Sequence, residues 1–456
     1  MSGPTLAVRL FGLDLGEIRR DSHGKLSLHY HEAWRTRPGA GPLSLSLPLT
    51  LAEHPHSRVD PYLWGLLPDS AQILDGWGRR FGVSKNNAFA LLRHVGEDCP
   101  GAVQLRSADQ ERAATAHDHE IIWLTERDLA ERIRSLRQNP AATRTGTDTG
   151  QFSLGGAQAK TALYLEDGRW GVPSGRIPTT HILKPPVPGY DGHVENEHFC
   201  LSLARALGLA SATSWVARFE DEPVIVVERF DRARTSQMAA AATGARAAEL
   251  TALAQTQPIL RIHQEDMGQA LGRHPNAKYQ SEGGPGPREI VEVLRTWSGR
   301  PTEDVAAFLD ALILQWLIGG TDAHAKNYAV LHSAQGRVRL APLYDVASAL
   351  PYDHVHPRSL KLAMKVGPEY RLHNIGRPQW STLARELRVP EAQVMAQVHR
   401  MCAEIADRAS DVRTRLRAEG LTHPILDTLV DVIGARAARC QRVMHAGDAA
   451  VLEGDE

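Results

Sequence analysis

The residues best suited to chemistry in this chain lie in the stretch GGTDAHAKNYAVL, residues 319–331. Asp322 and Asn327 have the D-x-x-x-x-N spacing of a kinase catalytic loop. In such a loop the aspartate accepts or orients the proton of the substrate hydroxyl, and the asparagine carbonyl binds Mg²⁺. His324 and Lys326 lie between them and are either nucleotide-binding groups or solvated polar residues. The spacing alone occurs by chance in many chains, so it predicts phosphoryl transfer only together with further signals.

A second candidate is Asp345, at the end of the stretch RLAPLYD. Kinase-like enzymes place their principal metal ligand on a carboxylate that follows a strand, downstream of the Asp/Asn loop. A turn or helix-capping aspartate is the alternative explanation for this residue alone.

A glycine pair and a lysine in FSLGGAQAKTAL form a candidate phosphate loop. Gly155 and Gly156 would let backbone N–H groups approach phosphates closely, and Lys160 adds positive charge. The stretch is not a Walker A motif, and an ordinary glycine turn competes with the phosphate-loop interpretation.

A strand lysine, Lys184 in THILKPP, is a candidate ligand of the α- or β-phosphate. Such a lysine is held by a helix glutamate, and the following helix offers Glu195 and Glu197 without a reason to prefer either. The apolar strand VIVVERF ends at Glu228 and Phe230, where a hinge between two lobes could contact adenine. A buried strand followed by a turn explains that pattern equally well.

The order of these signals along the chain supports a kinase more strongly than any one of them. A glycine-rich loop, a strand lysine, a helix glutamate, a hinge, an Asp/Asn loop and a metal-binding aspartate follow one another as they do in kinases.

The elements that must position these residues form a predicted α+β chain in three parts. Residues 1–110 are mixed α/β, with the alternating stretch LSLSLPL predicted as a strand. Residues 111–232 are a β-rich ATP-binding lobe that contains a helix with a Thr cap near 125–137 and a polar loop at 139–151. Residues 233–456 are a helical lobe, with an Ala-rich surface insertion at 234–257 and a loop at 283–287. After residue 260 only RVRLAPLYD is predicted as a strand.

Composition limits the remaining function classes. The chain has 456 residues, with 52 Lys plus Arg and 53 Asp plus Glu, so charge alone does not predict a nucleic-acid-coating protein. Four well-separated cysteines predict neither a zinc site nor disulfides and fit a reducing cytoplasm. We found no signal peptide and no apolar stretch long enough to span a bilayer, so we expect an intracellular protein.

These motifs resemble the HipA family of type II toxin–antitoxin serine/threonine kinases. The resemblance rests on FSLGGAQAKTAL, THILKPP, ENEHFCLSLARALGL, VVERFDR, RIHQEDMGQALG, GGTDAHAKNYAVL, LAPLYDVASALPY and LKLAMKVG, and residues 5–105 resemble the N-terminal subdomain of full-length members. It implies a bilobed fold related to protein and phosphoinositide kinases, the cofactors ATP and Mg²⁺, and a HipB-like helix-turn-helix antitoxin that brings the toxin to operator DNA.

Carried over position by position, the resemblance implies roles for individual residues. Asp322 corresponds to the catalytic aspartate, and Asn327 and Asp345 to the Mg²⁺ ligands. Lys184 corresponds to the phosphate lysine, and Glu228 with Phe230 to the adenine-contacting hinge pair. Ser153 occupies the position where family members autophosphorylate, which is thought to expel the glycine-rich loop and switch the enzyme off.

The resemblance also implies a target, because members phosphorylate aminoacyl-tRNA synthetases and thereby halt growth. Two alternatives stay open at this point. One is a small-molecule kinase on the same scaffold, and the other is a catalytically silent scaffold that binds antitoxin and DNA.

Overall fold

The computed structural model describes residues 4–107, 120–142, 152–174, 177–333, 336–354 and 356–445. The chain divides into two compact units, each assembled from segments that are discontinuous in sequence. The first comprises Met1–Pro185, Ala217–Asn276 and Ala329–Val338, and the second comprises Pro186–Val216, Ala277–Tyr328 and Arg339–Glu456. The boundaries predicted at residues 110 and 232 stay predictions. Residues 143–151 of the predicted polar loop lie outside the described part.

The N-terminal part of the first unit is a five-stranded antiparallel sheet packed with helices. Its strands, in the spatial order β4-β3-β2-β1-β5, are Thr5–Leu10 (β1), Leu13–Arg20 (β2), Leu26–Tyr30 (β3), Glu53–His54 (β4) and Val103–Ser107 (β5). Its helices are Glu32–Arg35 (α1), His56–Gly65 (α2), Ala71–Phe81 (α3) and Ala88–Val95 (α4). Leu6, Val8 and Leu10 are at most 1% exposed, which is the period-two burial of a strand with one core face. The predicted mixed α/β character of this region is confirmed.

A six-stranded sheet forms the second layer of the first unit. In the spatial order β10-β11-β9-β7-β8-β6, its strands are Ile121–Trp123 (β6), Thr161–Glu166 (β7), Arg169–Pro173 (β8), His181–Lys184 (β9), Ser214–Phe219 (β10) and Glu222–Glu228 (β11). Helix Glu126–Gln138 (α5) begins with a capping box in which the Thr125 side chain and Asp128 satisfy each other's backbone N–H groups. Arg134 and Arg137 of this helix pair with Glu222 of β11. The predicted β-rich region with one Thr-capped helix is confirmed.

The second unit is mostly helical. Its helices are His193–Ala206 (α6), Pro287–Trp297 (α10), Pro301–Ile318 (α11), Arg377–Glu386 (α12), Glu391–Ala418 (α13) and Ile425–His445 (α14). From Ala311 to Ile318 every residue of α11 is at most 5% exposed, as its nearly continuous apolar sequence requires. Among the described residues, none of the helices combines the length and the apolar composition needed to cross a bilayer.

Two helices, Thr235–Ala241 (α7) and Gly244–Thr256 (α8), occupy the Ala-rich segment that was predicted as a surface insertion. Thr235 and Leu250 are buried, whereas most of the other residues are exposed or half-buried. A one-turn helix, Met267–Ala270 (α9), follows in the first unit.

The strand predicted for LSLSLPL is wrong. The segment is a turn with a single bridge between Ser44 and Leu47. Its alternation has another cause, because the serine side chains bind polar partners inside the unit. Ser44 Oγ donates to Glu265 Oε2 at 2.5 Å and Ser46 Oγ donates to the Gln269 carbonyl at 2.8 Å.

The prediction of helix throughout the region after residue 260, apart from one strand, is also wrong. Besides the expected strand Val338–Leu340 (β16), the strands are Ile259–Arg261 (β13), Gln264–Asp266 (β14), Ala329–His332 (β15), Lys361–Val366 (β17) and Glu369–Arg371 (β18). β13 pairs with Arg232–Arg234 (β12), and β14 pairs with β15. Most of these strands are too short to show a period, and β14 meets a partner far away in sequence, so periodicity could not predict them.

A cluster of buried charges links the loop before β5 to arginines that follow β11 or lie in β12 and β13. The Asp98 carboxylate, 4% exposed, accepts hydrogen bonds from Arg229 at 3.2 Å, Arg232 at 2.8 Å and Arg261 at 3.2 Å. Asp231 accepts from Arg229 at 2.9 Å. Burial alone would raise the pKa of Asp98, but the three guanidinium groups and the Thr179 hydroxyl outweigh it and hold the pKa well below its ordinary value of 3.8.

We expect this cluster to make stability fall in acid. The pKa of Asp98 is lower in the folded protein than in the unfolded chain. The Asp98 carboxylate therefore stabilises the fold above pH 3.8, and this stabilisation is lost as pH falls toward the folded pKa. Asp98→Asn should lower the unfolding free energy near neutral pH by about 3–5 kcal/mol, because arginines remain buried without their charge partner. It should also weaken the acid dependence. Urea unfolding as a function of pH measures both effects.

Asp14→Asn is the matched control, because Asp14 pairs with Arg9 on the surface with 67% of its side chain exposed. Its effect should stay within about 0.5 kcal/mol. An Asp98→Asn variant with the wild-type acid dependence would contradict the role given to the buried cluster.

Candidate active site

The predicted catalytic loop leaves the end of α11 through two glycines. Gly319 has φ 64, in the left-handed region, and a Cβ there would lie 2.7 Å from Leu350 Cγ. A Cβ on Gly320 would overlap Gln315 Oε1. The left-handed φ favours glycine at Gly319, and the Gln315 side chain would have to move to admit a Cβ at Gly320.

Hydrogen bonds within the loop join Asp322 to Asn327. Asn327 Nδ2 donates to the Asp322 carbonyl at 2.7 Å, and His324 N donates to the same carbonyl at 2.8 Å. The amide nitrogen of Asn327 is thus bound inside the loop. His324 and Lys326 are buried, whereas Asp322 is exposed.

Asp345 lies in the loop after β16, in the same unit as Asp322 and Asn327. It has φ 58, a conformation that is uncommon outside glycine and that concentrates at functional positions. The neighbouring Tyr344 hydroxyl donates to the Lys326 carbonyl at 2.6 Å and so ties this loop to the catalytic loop.

Ser348 fixes the Asp345 loop against the end of α11. Its Oγ donates to the Ile318 carbonyl at 2.6 Å. Asn196 in α6 donates from Nδ2 to the Ser348 carbonyl at 2.8 Å and accepts the Ser348 N–H at 2.9 Å. The second unit thus brings the three predicted catalytic residues onto two adjoining loops.

The predicted phosphate-loop residues lie in the first unit. Lys160 Nζ donates to the Gly155 carbonyl at 2.7 Å, and Gly156 has φ 99. A Cβ on Gly156 would lie 2.5 Å from Lys160 Nζ. Because glycine has no side chain, the Lys160 amine can occupy the space beside it. Ser153 is fully buried, and its Oγ donates to the Leu66 carbonyl at 2.6 Å.

The other predicted nucleotide residues are also in the first unit. Lys184 ends β9 opposite Ile225, with 6% of its surface exposed. Glu228 ends β11 and is exposed, and Phe230 in the following turn is half-buried. Glu195 and Glu197 are both buried in the first turns of α6, which belongs to the second unit.

The donor chemistry fits a hard cation. The amide oxygen of Asn327 and the carboxylate of Asp345 are ligands that Mg²⁺ accepts, since it usually binds one or two protein carboxylates together with substrate phosphates. The stretch HVENEH forms the start of α6. Within the described ranges no group of three or more His, Cys, Asp or Glu side chains could hold a metal ion.

Sequence reasoning missed the residues that support the site. Asn196 and Tyr344 lie within stretches that carry the family resemblance, but the sequence assigns no role to either. Tyr279, whose hydroxyl donates to Asp322 Oδ1, lies far from Asp322 in sequence.

Two family models match most of the chain. The model described as HipA-like C-terminal domain matches residues 152–409, and the HipA N-terminal domain matches residues 6–106. The chain belongs to the HipA family. The resemblance read from the sequence motifs is confirmed.

Relatives of known sequence and structure agree with this assignment. The protein named putative kinase Y4mE of Sinorhizobium fredii is 37% identical over 82% of this chain and 84% of its own length. The serine/threonine-protein kinase toxin HipA of Shewanella oneidensis is 28% identical over 90% of this chain and 89% of its own. The structure of HipA with HipB and operator DNA from Shewanella oneidensis has TM-score 0.79 at 24% identity, covering 96% and 97% of the two chains.

The predicted α+β fold and the predicted kinase class are therefore confirmed. This chain is a HipA-like kinase with the HipA fold.

We expect Gly319→Ala to lower phosphoryl-transfer activity by roughly tenfold or more, because displacing a catalytic group by about 1 Å can cost about 100-fold. The added methyl would meet Leu350 and would also hold a strained φ. Gly208→Ala is the control, because Gly208 has φ +87 with nothing within 4 Å of its Cβ position. Equal activities of the two variants, with equal thermal stability, would contradict the steric role of Gly319.

Proposed function

We propose that this HipA-like kinase transfers the γ-phosphate of ATP to a serine or threonine hydroxyl of a protein, as the toxin of a type II toxin–antitoxin system. One observation carries the proposal. Asp322 and Asn327 share a hydrogen-bonded loop, and Tyr344 ties the Asp345 loop to it in the same compact unit. Phosphoryl transfer depends on positioned oxygen ligands and a positioned base, and little covalent chemistry is required of the protein.

Each residue has one task in this proposal. Asp322 accepts or orients the proton of the acceptor hydroxyl, and Asn327 Oδ1 with the Asp345 carboxylate holds Mg²⁺. When bound, the magnesium nucleotide supplies the phosphoryl group and neutralises its developing charge.

Residues of the first unit bind the nucleotide. Lys184 and Lys160 carry charge to the phosphates, and the backbone N–H groups of Gly155 and Gly156 approach them closely. Glu228 and Phe230 contact adenine. His324 and Lys326 of the catalytic loop contribute further to nucleotide binding.

Ser153 is the proposed autophosphorylation site. In the buried conformation its hydroxyl donates to the Leu66 carbonyl and its N–H donates to the Asp98 carbonyl at 3.1 Å. A phosphate there carries nearly two negative charges and cannot stay in a fully buried position without a cation. Phosphorylation would therefore expel the glycine-rich loop and switch the kinase off.

The partners follow from the family. The related Shewanella structure contains HipA, HipB and operator DNA, which supports a HipB-like helix-turn-helix antitoxin that carries this chain to its operator. We propose an aminoacyl-tRNA synthetase as the protein target in the cytoplasm, with growth arrest and persistence as the consequence.

Self-labelling with ATP is the direct test of catalysis. Wild-type protein should incorporate one phosphate, mapped to Ser153, and chelation of Mg²⁺ should abolish the reaction. Asp322→Ala and Asp345→Ala should each lose labelling by roughly 100-fold or more, because each removes a group needed in the transition state. Asp14→Ala, a surface change, should label normally. Undiminished labelling of the Asp322→Ala variant would refute the proposed catalytic role.

The target is tested separately in a cell lysate supplied with ATP. We expect new phosphoserine or phosphothreonine on an aminoacyl-tRNA synthetase, absent when Asp322→Ala protein is added. Labelling confined to the kinase itself would count against the proposed target while leaving the catalytic proposal intact.

A further inference from the structure

A tight turn at residues 277–286, hereafter the Tyr279 turn, lies beside the catalytic loop in the second unit. The Tyr279 carbonyl accepts the N–H groups of Glu282 at 3.0 Å and Gly284 at 2.9 Å. Gly283 has φ 87, and a Cβ on Gly284 would lie 2.7 Å from the Tyr279 carbonyl oxygen. The turn is therefore compact, and two hydrogen bonds hold the Tyr279 carbonyl within it.

Three contacts join this turn to the catalytic loop. Ala325 N donates to the Lys278 carbonyl at 3.3 Å. The rings of Tyr279 and His324 meet edge to face, with centroids 5.0 Å apart and an interplanar angle of 82°. The Tyr279 hydroxyl donates to Asp322 Oδ1. The edge-to-face contact fixes the direction of the tyrosine ring and hence the position of its hydroxyl.

The bond to Asp322 matters because that side chain is exposed. An exposed carboxylate samples several rotamers. The reaction is slower when the base spends time in rotamers that do not face the acceptor hydroxyl. A hydroxyl fixed at Oδ1 selects one rotamer and leaves Oδ2 to the acceptor.

We infer that Tyr279 is a positioning residue that orients the Asp322 carboxylate toward the acceptor hydroxyl. The inference rests on the proposed role of Asp322 as the base. It assigns a function to a turn that carries none of the kinase motifs, and it places the acceptor hydroxyl at Oδ2. A competing role, in which the phenol occupies the acceptor's place and blocks it, has the opposite effect on rate.

The test is Tyr279→Phe, which keeps the ring and its contact with His324 and removes only the hydroxyl. The readout is the initial rate of phosphate transfer from ATP to protein, both to the kinase itself and to added casein, as a function of ATP concentration. The maximal rate should fall about tenfold, the effect of losing one hydrogen bond to a charged group. The ATP concentration at half-maximal rate should stay within about twofold, since the nucleotide-binding groups are untouched.

Two further variants make the outcomes distinct. Tyr190→Phe removes a phenol hydroxyl of the same unit whose ring packs on Tyr352 and His354, and it should behave as wild type. Asp322→Ala should be inactive. If Tyr279→Phe keeps the wild-type maximal rate while Asp322→Ala is inactive, the inference about Tyr279 is wrong and the proposed function stands. A raised maximal rate for Tyr279→Phe would also overturn the inference, because it would show that the phenol blocks the acceptor. Activity of Asp322→Ala would overturn the proposed function together with the inference.

Discussion

A chain of hydrogen bonds from Asn196 through Ser348 to the Ile318 carbonyl holds the two loops that carry the proposed catalytic residues. The catalytic loop and the Asp345 loop are separate in sequence, and neither is a regular element that would position itself. Ser348 joins the Asp345 loop to the end of the buried helix α11, and Asn196 in α6 binds Ser348. Hydrogen bonds to buried helices let side chains on loops keep the precise positions that phosphoryl transfer requires.

In the first unit Asp98 connects separate segments, as Ser348 and Asn196 do in the second unit. Its backbone carbonyl accepts the Ser153 N–H, while its carboxylate binds Thr179 and Arg229, which follows β11. The loop before β5, the glycine-rich segment and the end of β11 are thereby connected through one buried residue. A phosphate at Ser153 would act on a segment already tied to the N-terminal sheet, which gives the proposed switch a defined set of bonds to break.

The sequence predicted the long elements and the motif-bearing loops, because their signals are local. Strands with several alternating residues, the Thr125 cap and the glycine pair at Gly319 needed no tertiary information. The LSLSLPL error arose because the serines of that segment bind Glu265 and Gln269, partners more than 200 residues away. Tyr279 and Asn196 were missed for the same reason, since a single polar side chain gives no sign of the distant group that it contacts.

If the proposed site is correct, Asn327 and Asp345 act on one magnesium ion, which a double-mutant cycle can detect. Mg²⁺-dependent ATP affinity would be measured by calorimetry for wild type, Asn327→Ala, Asp345→Asn and the double variant, with Gly208→Ala as a folding control. If both side chains bind the same ion, the double variant should bind the nucleotide little more weakly than the single variant that has the lower affinity. Losses that add fully would contradict a shared ion and, with it, the convergence of the two loops on one phosphate.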